Sequence, residues 1–387
     1  MVSLISFYGF RGLKLSRGEG QYVWDSKGKR YLDAHTGHGA AFLGHKPPRV
    51  VQALKEQLDA IMVTTPSFMN ESMEKCLSVL GKVLPSKLTN VYFQNSGSEA
   101  VELALKLAFK ATGRREVIAF KGSFHGRTLG SLSVTWNPKY RQGFPVFQMR
   151  FGDFNSLEAV DLVDESVAAV IVEPVQGESG VKPSTAEFLR ELRRACNEHG
   201  AALIFDEVQS GFGRTGRIWA HQSRGVEPDI MTAGKSIGGG FPVSFVAARD
   251  WVVEGLRGAE HGSTHGGNPL ACAALYGGVE TLLEDDVPSR SAKMGAKLME
   301  ALKAVESKLV REVRGEGLMI GVELRVDVGP ILKDLQSRGL LALRAGRTVL
   351  RLLPPYLITE EDVETVAREV EGALLDEQSR RGADQAT

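Results

Sequence analysis

Three cysteines in 387 residues is few, and Cys76, Cys196 and Cys272 stand singly in apolar-periodic stretches without C-x-x-C spacing. That scarcity excludes a disulfide framework and a cysteine-built zinc site, and it points to three small buried hydrophobes in a reducing, cytoplasmic protein. Net charge is missing as well, since 47 Lys and Arg balance 47 Asp and Glu. No global field therefore draws the chain to nucleic acid or to a membrane. No apolar run is long enough to span a bilayer, and the amino terminus lacks the positive head and apolar run of a signal peptide. What the chain does have is 43% apolar residues, ample for one large α/β domain or a large domain with a smaller partner.

Two β-rich runs, Gln21–Asp25 and Lys29–Asp33, flank Ser26-Lys27-Gly28 and predict a hairpin. The Gly- and His-rich stretch Ala34–His45 has no period and reads as a pocket-lining loop. Its three histidines lack the Cys or carboxylate spacing of a metal site. Helical periodicity follows from Pro48 to Ile61 and from Glu71 to Val83. Short apolar strands then alternate with helices: Val91–Phe93, Val117–Phe120, Ala168–Val172, Leu203–Phe205 and the run ending at Ala233, with Ala186–His199 the clearest helix between them. This pattern predicts a mostly parallel sheet with right-handed crossovers. Val243–Ala248 reads as an antiparallel strand, and a long helix begins at Leu270. Pro288 marks a break before a helix over Ala292–Leu309 and two strands, Met319–Leu324 and Thr348–Leu352. The expected division is an amino-terminal segment over 1–47, a large domain over 48–284, a small α/β domain over 285–376, and a polar, frayed tail over 377–387.

The chemistry collects at strand ends. Leu203-Ile204-Phe205 stops at Asp206, and Met231-Thr232-Ala233-Gly234 stops at Lys235. An acid and an amine at the carboxyl edge of a parallel sheet can bracket one cofactor ring. The glycines Gly238-Gly239-Gly240 follow the lysine, whereas a nucleotide P-loop has them before it, so an ATPase is rejected. Gly97-Ser98 opens a helix, where N–H groups and the dipole suit a phosphate, although Ser98 is equally suited to be an N-cap. If the strand ends converge, one site holds a phosphate cradle, an aromatic, an arginine, a carboxylate and a lysine amine. Pyridoxal phosphate requires that inventory.

With Phe205-Asp206-Glu207-Val208-Gln209, Gly211-Phe212-Gly213-Arg214-Thr215-Gly216, Gly234-Lys235 and Gly239-Gly240-Phe241-Pro242, the chain resembles the class III aminotransferases of fold type I over essentially its whole length. Within that family it is similar to the acetylornithine aminotransferase branch. His35-Thr36-Gly37-His38-Gly39 and Ala41-Phe42-Leu43-Gly44-His45 resemble the archaeal enzymes that act on ornithine or lysine precursors attached to an amino-group carrier protein. The resemblance implies a pyridoxal 5'-phosphate enzyme in which Lys235 is catalytic, bonding the cofactor aldehyde and moving the substrate proton. It implies Asp206 at the pyridine nitrogen, Val208 and Phe124 on the ring faces, Gln209 near the ring hydroxyl, Glu207 beside them in the cofactor site, and Gly97 and Ser98 on the phosphate. Thr264 matches the position that reaches the neighbouring subunit's phosphate, which implies a homodimer with shared sites. Ser263 is implied to touch substrate, Arg127 to bind a substrate carboxylate, and Glu178 to mask Arg351 until glutamate's α-carboxylate arrives. His265 departs from the family's usual Tyr or Phe.

The implied reaction moves an amino group between glutamate or 2-oxoglutarate and the terminal semialdehyde of a carrier-linked or N-blocked precursor in lysine and arginine biosynthesis. The rival reading is ordinary acetylornithine transamination, and a more distant one is an aminomutase or decarboxylase. An acidic carrier requires a basic rim, for which Lys14, Arg17, Lys27, Lys29 and Arg30 are candidates.

Overall fold

The computed structural model describes residues 2–7, 9–147 and 149–384. The chain opens with an antiparallel ribbon of β1 (Leu15–Glu19), β2 (Tyr22–Asp25) and β3 (Arg30–Asp33). The β2–β3 hairpin lies where the alternation predicts it. Strand β1, with sequence LSRGE, has no apolar alternation to betray it.

The main sheet holds β4 (Asn90–Gln94), β5 (Glu116–Phe120), β6 (Arg150–Gly152) and β7 (Val167–Val172). After a two-stranded ribbon of β8 (Val175–Gln176) and β9 (Lys182–Pro183), it resumes with β10 (Ala202–Asp206), β11 (Ile230–Ala233) and β12 (Ser244–Ala248). The strand order is β4-β12-β11-β10-β7-β5-β6. Strand β12 runs antiparallel to β11 and β4, and the other pairings are parallel.

Strand β10 shows how the sequence dictates this layering. Ala202 and Ile204 pack with Ala100, Val101 and Leu105 of the helix Gly97–Thr112 on one face. Leu203 and Phe205 pack with Phe188 and Leu192 of the helix Ala186–His199 on the other. A strand covered on both faces stays apolar along its length, so Asp206 is the first position at which a polar group can appear. The helix Pro269–Glu284 lies against the turn after β11. A Cβ at Gly278 would stand 2.2 Å from the Ile237 carbonyl oxygen, so only glycine lets this helix brace the turn that carries Lys235.

The carboxyl-terminal third contains β13 (Val310–Glu316), β14 (Met319–Leu324), β15 (Leu340–Leu341), β16 (Leu343–Ala345) and β17 (Val349–Leu352). Four of these form an antiparallel sheet in the order β13-β14-β17-β16, while β15 joins β3 in parallel and ties the amino-terminal ribbon to this part of the chain.

Two expectations are corrected. The helix placed at 292–309 runs over Val287–Lys303, and Pro288 sits in its first turn, where a missing N–H costs nothing, instead of breaking the chain. The tail placed from residue 377 is the end of a long helix, Glu360–Asp384. Glu377 is buried there and pairs with Arg380 and Arg381, so a run that looks polar in sequence has one face docked. Residues 385–387 of that expected tail lie outside the described residues.

Candidate active site

Asp206 ends β10, Lys235 lies two residues past the end of the adjacent parallel strand β11, and both line one cavity of about 990 Å³. Asp206 is 5% exposed, and its carboxylate has three hydrogen-bonding partners and room for a fourth. Its Oδ1 accepts from the Val208 N–H and the Thr232 hydroxyl, both at 3.1 Å, and its Oδ2 lies 2.7 Å from His125 Nδ1. Lys235 holds a left-handed backbone, φ +50°. In a residue other than glycine that costs roughly 1–2 kcal/mol, which the packed turn around Gly278 sustains. Burial pushes the Lys235 amine down to about 8, opposed by the Asp206 carboxylate and reinforced by the Arg351 charge. An amine so shifted is half neutral near pH 8, as attack on a carbonyl requires.

Glu173, just beyond β7, was not singled out in the sequence. Its Oε1 accepts from the Phe124 N–H at 2.9 Å, fixing the loop that carries Phe124 and His125. Burial, partly offset by His125 and reinforced by Asp206, pushes its carboxyl up to about 7. No signal short of the fold would have found this group, because Glu173-Pro174 reads as an ordinary strand exit.

The helix Gly97–Thr112 points its amino end into the same cavity. Its cap is Ser96, in a reciprocal capping box with Glu99, and not Ser98. Ser98 is therefore a first-turn residue whose Oγ accepts from the Arg127 N–H at 3.3 Å. A Cβ at Gly97 would come within 2.7 Å of Val208 Cγ1, so glycine brings the helix end against the Val208 wall. Phe124 and Val208 both line the cavity. A helix amino end, a buried acid at one strand end and a depressed amine at the next form a donor set that fits pyridoxal phosphate.

The outer half of the cavity is an array of charged and hydrogen-bonded side chains. Arg351 occupies β17, flanked by Gly321 on β14 and Leu343 on β16. It is 2% exposed, and its guanidinium donates to Glu178 Oε2 at 3.1 Å, Gln209 Oε1 at 3.2 Å and the Arg344 carbonyl at 3.3 Å. Gln209 Nε2 donates to the His38 carbonyl at 3.0 Å. Both ends of the Gln209 amide are thus committed to the arginine side of the cavity, where the sequence reading expected a contact with the ring hydroxyl. Arg127 lies over the Tyr140 ring, 4.8 Å from its centroid, and 5.7 Å from that of Phe124.

The loop read at Ala34–His45 is a left-handed turn. Thr36, Gly37, His38 and Gly39 have φ of 45°, 58°, 59° and 96°. Asp33 Oδ1 accepts from the N–H groups of His35 and Thr36, and the Thr36 hydroxyl donates to the Leu353 carbonyl at 2.7 Å. Arg214, a fully buried cation, donates to the carbonyls of Gly39, Leu318 and Pro354 and so joins this turn to the carboxyl-terminal sheet. Burial, with Arg351 acting in the same direction, pushes its guanidinium down to about 9. His35 and His38 reach the cavity, whereas His45 is held by Asp33 at 2.8 Å. His38 is exposed, and partial desolvation together with the charges of His35, Arg351, Lys235 and Arg127 pushes its ring below the usual imidazole range.

Three predicted residues do not join them. Glu207 turns away from the cavity, fully buried, and accepts from the Ser210 hydroxyl at 2.6 Å and the His221 N–H at 2.9 Å, with His221 Nδ1 at 3.0 Å. Its place in the cofactor site is corrected to a structural one, because next to Asp206 on a strand end it must face the opposite side. Ser263, half-buried against Asn95 and Gly266, and the exposed Thr264 lie outside the cavity of their own chain. Among the described residues no three His, Cys, Asp or Glu side chains gather to hold a metal ion, and no helix is long and apolar enough to cross a membrane.

Residues 10–374 match the family described as aminotransferase class-III. The chain is 49% identical over 378 residues to a LysW-aminoadipate semialdehyde/glutamate semialdehyde transaminase of Sulfolobus acidocaldarius, covering 97% of this chain and 98% of that one. It is 44% identical over 364 residues to an acetylornithine aminotransferase of Methanopyrus kandleri, covering 92% and 93%. Its structure is similar to that of the ornithine aminotransferase of Toxoplasma gondii, in which PLP partly occupies the active site. The TM-score is 0.92 at 30% identity, covering 97% of this chain and 92% of that one.

Proposed function

The chain belongs to the class-III aminotransferases, which use pyridoxal phosphate, and we propose that it moves an amino group between glutamate or 2-oxoglutarate and a terminal semialdehyde linked to an acidic carrier protein. Such a step serves lysine and arginine biosynthesis. The linkage blocks an α-amine that would otherwise attack the semialdehyde and cyclise it.

The observation that carries this reading is the buried Arg351 paired with Glu178 at 3.1 Å beside the Lys235 amine. A site that takes a terminal amine in one half-reaction and glutamate in the other needs a cation that can be hidden and exposed. When bound, pyridoxal phosphate supplies a carbonyl that receives the amino group and a ring that delocalises the electron pair left on the substrate carbon. Lys235 holds the cofactor and carries the proton at that carbon. Asp206, oriented by Val208, Thr232 and His125, would hold the pyridine nitrogen protonated. Gly97 and Ser98 at the helix end would take the phosphate, and Phe124 and Val208, which line the cavity, would shield the ring from water. Arg127 binds a substrate carboxylate, for which a planar guanidinium fork is suited.

The active unit in this reading is a homodimer. Thr264 is exposed and outside its own cavity, as a residue serving a second copy requires. The exposed Ile61, Met62, Val63, Phe68 and Met69 give such a pair an apolar surface to bury. The carrier approaches over a basic rim. Arg17 and Arg30 stack on Trp24 and Tyr22 of the ribbon, Lys29 reaches the Ser337 carbonyl, and Arg11, Lys333 and Arg344 line the cavity.

Turnover on the carrier-linked and acetylated substrates, compared in one assay, tests the substrate. The carrier-linked one is expected to give the higher kcat/KM, with the advantage shrinking as salt screens the rim. A preference for acetylornithine would overturn the carrier reading and leave the small-substrate enzyme. Glu178→Ala tests the mask: it should weaken the ω-amine half-reaction selectively, and equal damage to both halves would show a static salt bridge.

A further inference from the structure

We propose that Tyr140 is a positioning residue for substrate exchange: its hydroxyl locks Glu178 onto Arg351 and so sets how readily the site passes from the ω-amine substrate to glutamate. The proposal rests on the reading of Glu178 and Arg351 as a removable mask. Glu178 uses its two carboxylate oxygens on two different parts of the molecule. Oε1 accepts from Tyr140 Oη at 3.1 Å, and Oε2 accepts from Arg351 at 3.1 Å. About a third of the Glu178 side chain is exposed (32%), so solvent competes for it, and two anchors hold it in place better than one.

Tyr140 is built to be the fixed anchor. It lies in a short helical turn, Pro138–Arg141, capped by Asn137, and its N–H donates to the Asn137 carbonyl at 3.0 Å. Its ring stands edge-on to Phe124, with centroids 5.9 Å apart at 85°, and carries the Arg127 guanidinium above it at 4.8 Å. One side chain therefore touches the cavity-wall aromatic, the proposed carboxylate-binding arginine and the mask. Burial, aided by the Glu178 charge, pushes the phenol above its ordinary range, so it stays protonated and donates. A hydroxyl donating to a carboxylate favours the masked state, and its loss frees Arg351 for an incoming carboxylate.

Tyr140→Phe removes the hydroxyl and keeps the ring under Arg127. In the holoenzyme, the dissociation constant of glutarate, which has glutamate's two carboxylates and no amine, is read by spectral titration beside both half-reactions. The expected result is glutarate bound about tenfold tighter, glutamate KM lowered by a similar factor, and KM for the ω-amine substrate raised, with both kcat values within a few-fold of wild type. Unchanged glutarate affinity in Tyr140→Phe, alongside tightened affinity in Glu178→Ala, would overturn the role of Tyr140 alone. Unchanged affinity in Glu178→Ala as well would overturn the mask and this proposal with it. A melting curve for each variant separates either outcome from misfolding, and Tyr140→Ala, which also strips the ring from Arg127, should damage both half-reactions.

Discussion

Lys235→Ala is expected to lower the rate of both half-reactions by about 10³-fold or more, since a positioned general base alone contributes roughly 10²–10⁴ and the covalent hold on the cofactor is lost with it. Single-turnover absorbance changes with glutamate, and separately with the ω-amine substrate, measure this. A small primary amine added to the variant should restore part of the rate, because it can replace the proton carrier but not its placement. Retention of a tenth of the wild-type rate would remove Lys235 from the catalytic role. The pH dependence follows from the same group. In the cofactor-free chain its amine is pushed down to about 8, so the rate at which the apoprotein captures pyridoxal phosphate, which needs the neutral amine, falls as pH drops below about 8 and rises above it. That limb should be missing from the variant. For the apoprotein the sign is the same: the unfolded chain binds the extra proton between about pH 8 and the ordinary lysine range, so the contribution of Lys235 to stability improves as pH rises through that window.

Asp206→Asn is expected to cost two to four orders of magnitude in kcat. Removing one partner from a buried ion pair typically costs about 3–5 kcal/mol, and 1.36 kcal/mol is tenfold in rate. The structure adds a reason why asparagine cannot substitute quietly. Asp206 Oδ1 already accepts from Val208 and Thr232 while Oδ2 faces His125, so the new amide either turns its N–H groups on two donors or requires His125 to accept at Nδ1 with its proton moved to Nε2. The cofactor dissociation constant, measured by equilibrium dialysis, should rise along with the loss of rate. A rate within tenfold of wild type would mean that the ring nitrogen does not need this carboxylate.

Much of the fold was legible because β10 and β11 are covered on both faces. The continuous apolar run of β10 announces a buried strand and Asp206 its edge, while in β11 the one polar residue inside the run, Thr232, is small and spends its hydroxyl on Asp206. The boundary errors have equally local causes. Pro288 sits in a helix's first turn, where proline is tolerated, and Glu377 belongs to a helix whose buried face holds a paired carboxylate. The assignment of Glu207 failed for a different reason. Neighbours at a strand end face opposite ways, and only the packed loop reveals that Glu207 serves His221 and Ser210 while Asp206 serves the cavity.

By itself the sequence determined the chemical inventory of this protein: an acid, an amine, a helix end and an aromatic at successive strand ends, in a spacing that resembles one family. It could do so because burial on both faces keeps ionisable residues out of these strands until the strand stops. The tertiary structure alone decided the partnerships. Arg351 meets Glu178 across 173 residues and Gln209 across 142, Gln209 meets His38 across 171, and Tyr140 meets Glu178 across 38. Those meetings depend on how a left-handed turn, a large parallel sheet and a small antiparallel one dock together through Arg214 and Thr36. No local pattern in the chain encodes that docking, because its contacts are between segments that are neighbours only once the core has formed.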